Sequence, residues 1–320
     1  MPEKSVTKDG RFETTYEFPM KPVKKTFGQF LYDKENNTIM GRTRLGWMKL
    51  LIFYVIFYFV LGALTAVCFE GLLSTLSDQY PKYQLEQSLI GTNPGVGFRP
   101  MPEDPEQGGM IHYRAKNKTE VKYWVGRVED FLQPYKNQSL LVTGGKNQVI
   151  CDFNSPPSAG NVCAVDVSQM GPCTANHGYG FNKSAPCIFI KLNRIYNWLP
   201  EFYDDVEDLP DDMPQDLVQH INSLPKVERN QIWVSCNGVN PMDNEAIGPV
   251  EYYPGRGIAG YYYPFLNQPG YLSPIVAVQF ARPTVQRSIN IECRAWAKNI
   301  HYRGGYRDRQ GSIYFALLVD

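Results

Sequence analysis

The run from Leu50 to Phe69, LLIFYVIFYFVLGALTAVCF, holds twenty residues without a charge or a proline, and nothing else in the chain resembles it. At a helical rise of about 1.5 Å per residue it spans about 30 Å, the hydrocarbon thickness of a bilayer. A signal peptide fits less well, because a 49-residue polar leader precedes the run and no small-residue cleavage site follows it. The expectation is an uncleaved transmembrane helix over 50–69, preceded by a tail over 1–49.

Orientation follows from the flanking cations. Residues 1–49 carry ten basic and six acidic groups, net +4, and Arg42, Arg44 and Lys49 crowd the near side of the run. Glu70, Asp78 and Lys82 follow it. Lys and Arg stay cytoplasmic, so the N-terminus is predicted inside and the bulk of the chain outside, a single-pass type II arrangement. Over the whole chain 32 basic groups balance 32 acidic ones, which removes the basic footprint of a nucleic-acid binder.

Cysteine usage agrees with that topology. Cys68 sits in the run, and the other six, Cys151, Cys163, Cys173, Cys187, Cys236 and Cys293, all fall on the predicted outer side, where disulfides form. Their spacing leaves fifteen pairings open. Sequons at Asn117, Asn137 and Asn182 also fall outside and are predicted to carry glycans, while Asn36 falls on the cytoplasmic side and stays bare.

Residues 70–118, rich in Pro and Gly, show neither helical nor strand periodicity and read as an extended stalk. From 119 to 320 a packed outer domain is expected. Val121, Trp124, Val125, Val128 and Phe131 share one helical face, which predicts a helix over Thr119–Leu132 with Pro134 just past its end. Alternation over Ser288–Ala297 and Gln231–Cys236 predicts strands, with Cys187–Ile195, Leu272–Phe280 and Ser312–Val319 as further candidates. The pattern implies a mainly-β antiparallel sandwich with one helix. Cys236 and Cys293 both project from apolar strand faces, so a bridge between them, one hypothesis among the fifteen pairings, would join two sheets through the core.

The search for chemistry is negative. Four scattered histidines have no zinc-ligand spacing, so no metal and no cofactor is expected. Gly255-Arg-Gly257-Ile-Ala-Gly260 matches a dinucleotide string without strand–helix context and reads as a turn. Ser223-Leu-Pro-Lys226 has a proline that breaks the helix a Ser–Lys pair needs. The acidic run Glu201–Asp216 reads as a solvated loop, with Ca²⁺ binding or a glycosyltransferase metal motif as the sharper alternatives. No catalytic residue is assigned. In the membrane run, Tyr54 and Tyr58 lie one turn apart with Gly62 and Ala66 continuing the row, a surface suited to another transmembrane helix.

These residues resemble the β subunits of the Na,K- and H,K-transporting P-type ATPases over nearly the whole chain. The resemblance rests on Phe27-Gly-Gln-Phe-Leu-Tyr-Asp33, Gly41-Arg-Thr43 with Trp47, and Phe53-Tyr-Val-Ile-Phe-Tyr58. In the outer domain it rests on Tyr179-Gly180, Pro186-Cys-Ile-Phe-Ile-Lys-Leu-Asn-Arg-Ile195, Tyr262-Tyr-Pro264 and Ala277-Val-Gln-Phe280. It implies a non-catalytic, glycosylated subunit with an immunoglobulin-like sandwich, bound in the plasma membrane to a multi-span catalytic α subunit and, in some assemblies, a small single-span regulatory subunit. It implies the pairs Cys151–Cys163, Cys173–Cys187 and Cys236–Cys293. It also assigns Tyr54, Phe57, Tyr58 and Gly62 to contact with α in the membrane, and Tyr83, Pro94, Tyr262, Tyr263 and Pro264 to contact with α outside. A cell-surface adhesion glycoprotein is the competing class.

Overall fold

The structure is a computed structural model and describes residues 5–6, 12–13, 26–34, 36–104, 108–141, 144–305 and 308–320. The cations Lys4, Lys8, Arg11, Lys21, Lys24 and Lys25 of the predicted tail lie outside the described residues, as does Pro105. The chain divides into two compact units, Met1–Leu76 and Ser77–Asp320.

In the first unit, helix α1 runs over Arg44–Leu73, 30 residues, with none of its side chains buried. It is longer than the apolar run at both ends. Charge composition bounds the apolar run but not the helix, which starts where the Thr43 hydroxyl accepts the Gly46 amide at 3.2 Å and stops at Ser74, whose amide closes on the Glu70 carbonyl at 2.9 Å. Before it, Tyr32–Asp33, Thr38–Ile39 and Arg42–Thr43 form a small antiparallel sheet. The Trp47 indole donates to the Ile39 carbonyl at 2.8 Å.

The second unit is a sandwich. One sheet has the order β5(Val250–Tyr253)–β7(Ile275–Phe280)–β3(Cys187–Leu192)–β1(Val96–Arg99), antiparallel throughout. The other has the order β6(Gly257–Ala259)–β4(Gln231–Gly238)–β8(Ser288–Trp296)–β9(Ser312–Val319)–β2(Met110–Tyr113). In that sheet β9 and β2 are parallel, a departure from the antiparallel expectation. The segment 96–113 supplies both β1 and β2, so the sandwich begins well inside the predicted stalk. Val96, Phe98, Ile111 and Tyr113 are buried, but four-residue strands are too short to show a period.

Between the sheets, the Phe315 ring stacks on Phe98 with centroids 4.8 Å apart and meets Phe280 edge-on at 6.1 Å. Along β8, Ile289, Ile291, Cys293 and Ala295 point into this core, as the alternation predicts. Helix α2 (Lys118–Lys136) covers the first sheet with Trp124, Val128 and Leu132 buried. It runs past Pro134, whose missing N–H leaves only the carbonyl of exposed Asp130 unbonded, a group water can satisfy. Two further helices, α3 (Gln215–Ser223) and α4 (Pro241–Ile247), correct the expectation of one helix. Helix α3 buries Leu217 and Ile221 against Trp233 and Trp296 on the outer face of the second sheet. Helix α4 is capped by the Asn240 carboxamide, which accepts the Asp243 amide at 2.8 Å.

Three disulfides close, Cys151–Cys163, Cys173–Cys187 and Cys236–Cys293, the successive pairs that the resemblance implies. The last corrects the expected geometry. Cys236 and Cys293 face each other on neighbouring strands β4 and β8, so the bridge ties two strands of one sheet and does not join the sheets.

Candidate subunit-contact surface

On α1, a turn of helix brings the Tyr54 and Tyr58 rings into a stack with centroids 5.9 Å apart. Phe57 meets Tyr58 edge-on at 5.4 Å. Gly62 one turn on has nothing within 4 Å of where a Cβ would stand, which leaves a notch below the aromatic pair. All three rings are exposed. A stack of aromatics over a notch gains dispersion energy only against another close-packed surface, because lipid tails offer no hydrophobic reason to bury it.

In the outer unit, Tyr262, Tyr263 and Pro264 are half-buried, on the segment that leaves β6 through a 3-10 turn over Gly260–Tyr262. The Tyr262 hydroxyl donates to the Ala164 carbonyl at 3.2 Å. Tyr263 stands edge-on to Trp198 at 5.6 Å, and burial pushes its hydroxyl well above the ordinary tyrosine range. Between this segment and the Pro156–Cys163 loop lies a groove of about 290 Å³, with Tyr261, Leu266 and Tyr271 on its wall. The sequence reading missed that loop as a wall of the groove. Its Pro156-Pro157 pair beside a disulfide was the available signal of a stiff, exposed element.

Tyr83 is exposed, but Pro94 is buried within the unit and presents no surface. Tyr83 lies in a segment tied at both ends. The Asn267 carboxamide donates to the Gln79 carbonyl at 3.3 Å, and Asn93 donates to the His301 carbonyl at 2.9 Å.

The sequons differ in their surroundings. Asn137 and Asn182 are exposed. Asn117 caps α2: its carboxamide oxygen accepts the Thr119 amide at 3.1 Å, and its Nδ2 donates to Glu120 Oε1 at 2.8 Å. The Arg114 side chain and amide also bond Glu120, and these hydrogen bonds hold its carboxyl down at about 2. Asn117→Ala removes the cap and is expected to cost about 1 kcal/mol, read as a shift in the chemical-denaturation midpoint.

The strings that suggested chemistry have structural uses. In the acidic run, Asp212 pairs with Arg294, Asp216 with Arg256 at 2.7 Å and Asp208 with Lys298 at 2.7 Å. Among the described residues no group of three or more His, Cys, Asp or Glu is placed to hold a metal ion. The glycine string is edge strand β6 followed by the 3-10 turn, more ordered than the plain turn expected. A Cβ on Gly257 would stand 2.5 Å from Gln231 Oε1. The Ser223 hydroxyl donates to the His220 carbonyl at 2.6 Å, while Lys226 lies 3.8 Å from Asp204.

A family model described as "Sodium / potassium ATPase beta chain" matches residues 19–315. Among curated proteins, the chain is 47% identical over 305 residues to sodium/potassium-transporting ATPase subunit beta-1 of Drosophila melanogaster, covering 95% of this chain and 96% of that one. It is 48% identical over 307 residues to subunit beta-2 of the same organism, covering 94% of each. Subunit beta-2 of Homo sapiens matches at 28% over 316 residues, 93% of this chain and 95% of that one.

Proposed function

The chain belongs to the sodium/potassium ATPase beta-chain family, and from that premise we propose how it serves the pump. It is the accessory, non-catalytic subunit, anchored in the membrane by α1. In the proposed arrangement the N-terminus is cytoplasmic and the sandwich lies outside the plasma membrane, with glycans on its sequons. The cation excess before α1 and the three disulfides in the second unit support that orientation. The names of the relatives favour the sodium/potassium pump over the H,K pump.

Its proposed work is to cover the catalytic α subunit, stabilise it, accompany it to the cell surface and bias its cation affinity. The observation that carries this is the match to the beta-chain family over residues 19–315, joined to an α1 with no buried side chain among the described residues. A route to the bias exists in elementary linkage: a subunit that contacts two pump conformations unequally shifts their equilibrium, about tenfold for each 1.4 kcal/mol of difference. Tyr54, Phe57, Tyr58 and Gly62 are the proposed membrane contacts. Tyr262, Tyr263, Pro264 and Tyr83 are proposed outside, Pro94 serving only to hold the segment.

The test is to capture the full chain through its outer unit from mild detergent and identify what copurifies in stoichiometric amount. A P-type ATPase catalytic chain is expected. The variant Tyr54→Ala with Tyr58→Ala removes the stacked pair and is expected to lose about 1.4 kcal/mol or more of packing, a roughly tenfold weaker assembly. Recovery of the chain alone at full surface expression would refute the subunit role. Normal assembly and normal K⁺ affinity in the double variant would refute only the helix-face assignment.

A further inference from the structure

A small folded element stands directly before α1, within the same compact unit. A helical turn over Phe27–Leu31 leads into the antiparallel sheet of Tyr32–Asp33, Thr38–Ile39 and Arg42–Thr43. Two hydrogen bonds fold this element back. The Met40 amide donates to the Leu31 carbonyl at 3.1 Å, and the Trp47 indole, in the first turn of α1, donates to the Ile39 carbonyl at 2.8 Å. Phe30 closes on Gly41, where a Cβ would stand 3.9 Å from its ring. The element is therefore held against the start of α1. Helix geometry sets its depth: with Leu50–Phe69 filling the hydrocarbon, Arg44 to Lys49 cover about 7.5 Å of rise, the depth of one headgroup layer.

Two properties of the element point the same way. It exposes Phe27, Phe30, Leu31, Tyr32, Ile39 and Met40, a dense apolar set for so short a segment. It also carries Lys34 and Arg42, and Arg44 and Lys49 follow at once on α1. None of these four cations has a carboxylate within ion-pair distance among the described residues. Asp33, the one carboxylate described between residues 26 and 49, accepts the Asn36 amide at 3.4 Å and its carboxamide at 3.1 Å.

We propose that the folded segment Phe27–Thr43, with Arg44 and Lys49, is a docking surface for anionic lipid headgroups in the leaflet at the N-terminal end of α1. The inference rests on the reading of α1 as a membrane anchor with its N-terminus cytoplasmic, the side on which bilayers carry their anionic lipids. Exposed rings and cations interleaved at headgroup depth complement that layer. The apolar side chains enter the acyl boundary, while the long Lys and Arg stems keep their charges at the level of the phosphates. Continuity with α1 supplies the rest: the element is tied to the anchor by the Trp47–Ile39 hydrogen bond, so docking costs little of the freedom that a loose tail would lose.

The experiment places the full chain, disulfides intact, in nanodiscs of phosphatidylcholine alone or mixed with phosphatidylserine, and follows backbone hydrogen exchange over residues 30–43. Phosphatidylserine is expected to slow that exchange about tenfold, the scale of two or more cations reaching the headgroup charge. Raising NaCl to about 0.5 M is expected to abolish the difference by screening. Arg42→Gln with Arg44→Gln is expected to remove most of it, whereas Lys122→Gln in the outer unit leaves it unchanged. Should the double variant disturb the small sheet, the salt response of the parent chain still decides. A chain that enters the discs but exchanges equally in the two lipids, or a difference that survives salt or the double variant in full, would overturn the inference and leave the anchor standing. Protection gained only when a catalytic chain is reconstituted alongside would assign the surface to that protein and overturn it as well. A chain recovered outside the discs would refute the anchor itself, and the inference with it.

Discussion

Removing the Cys236–Cys293 bridge, as Cys236→Ala with Cys293→Ala, is expected to lower the unfolding free energy of the outer unit by about 4 kcal/mol. The bridge closes a 57-residue separation. In the chain-entropy account it therefore restricts the unfolded ensemble more than the bridges at separations of 12 and 14, each worth about 3 kcal/mol. Its position adds to the effect, since both sulfurs lie in the buried face of β4 and β8. The ordering is checked by guanidinium unfolding of the full chain and of the three double variants. A midpoint shift for Cys236/Cys293 no larger than that for Cys151/Cys163 would contradict the loop-length argument.

Gly180→Ala is expected to be comparably damaging, about 4 kcal/mol, and to reduce the yield of protein that passes quality control. Gly178, Tyr179 and Gly180 all take left-handed backbone angles, with φ of 57°, 50° and 75°. At Gly180 an added Cβ would stand 1.9 Å from the Ala185 carbonyl oxygen. That oxygen belongs to the backbone leading into β3 and also accepts the Gln279 carboxamide at 3.3 Å, so it has no room to retreat. The turn is fixed from the other side as well: the Tyr179 hydroxyl donates to Glu129 at 2.6 Å and receives Lys136 Nζ at 2.7 Å. Gly178→Ala provides the contrast. Its Cβ would meet only the tip of Asn182 at 3.5 Å, leaving the left-handed strain of about 1–2 kcal/mol. Equal losses in the two variants, read by denaturant unfolding, would show that strain and not collision sets the cost.

Local chemistry made much of the fold readable. The Leu50–Phe69 run could not be anything but a long apolar helix. Period-two alternation located β8 within one residue, and Ser312–Val319 was placed at both ends. The apolar face from Val121 to Phe131 located α2. Elsewhere short elements defeated periodicity. Val96–Arg99 and Met110–Tyr113 become strands only because β3 and β9 present free edges to pair with. Helix α3 has two buried apolar residues, Leu217 and Ile221, and its helicity pays off only through Trp233 and Trp296 beneath it.

The proposed contact surface divides in the same way. Tyr54 and Tyr58 were legible because a helix places residues four apart on one face whatever surrounds it. Pro94 was not, because burial depends on what the rest of the chain lays over a residue. Cys236 and Cys293 show both halves of the division: their place on apolar strand faces was local and readable, while their meeting within one sheet depended on β4 and β8 being neighbours. By itself the sequence determined the apolar helix, the helix faces and the long strands, all set by interactions within a few residues. Only the tertiary structure decided sheet order and burial of the short segments, because those depend on contacts whose partners the chain order leaves free.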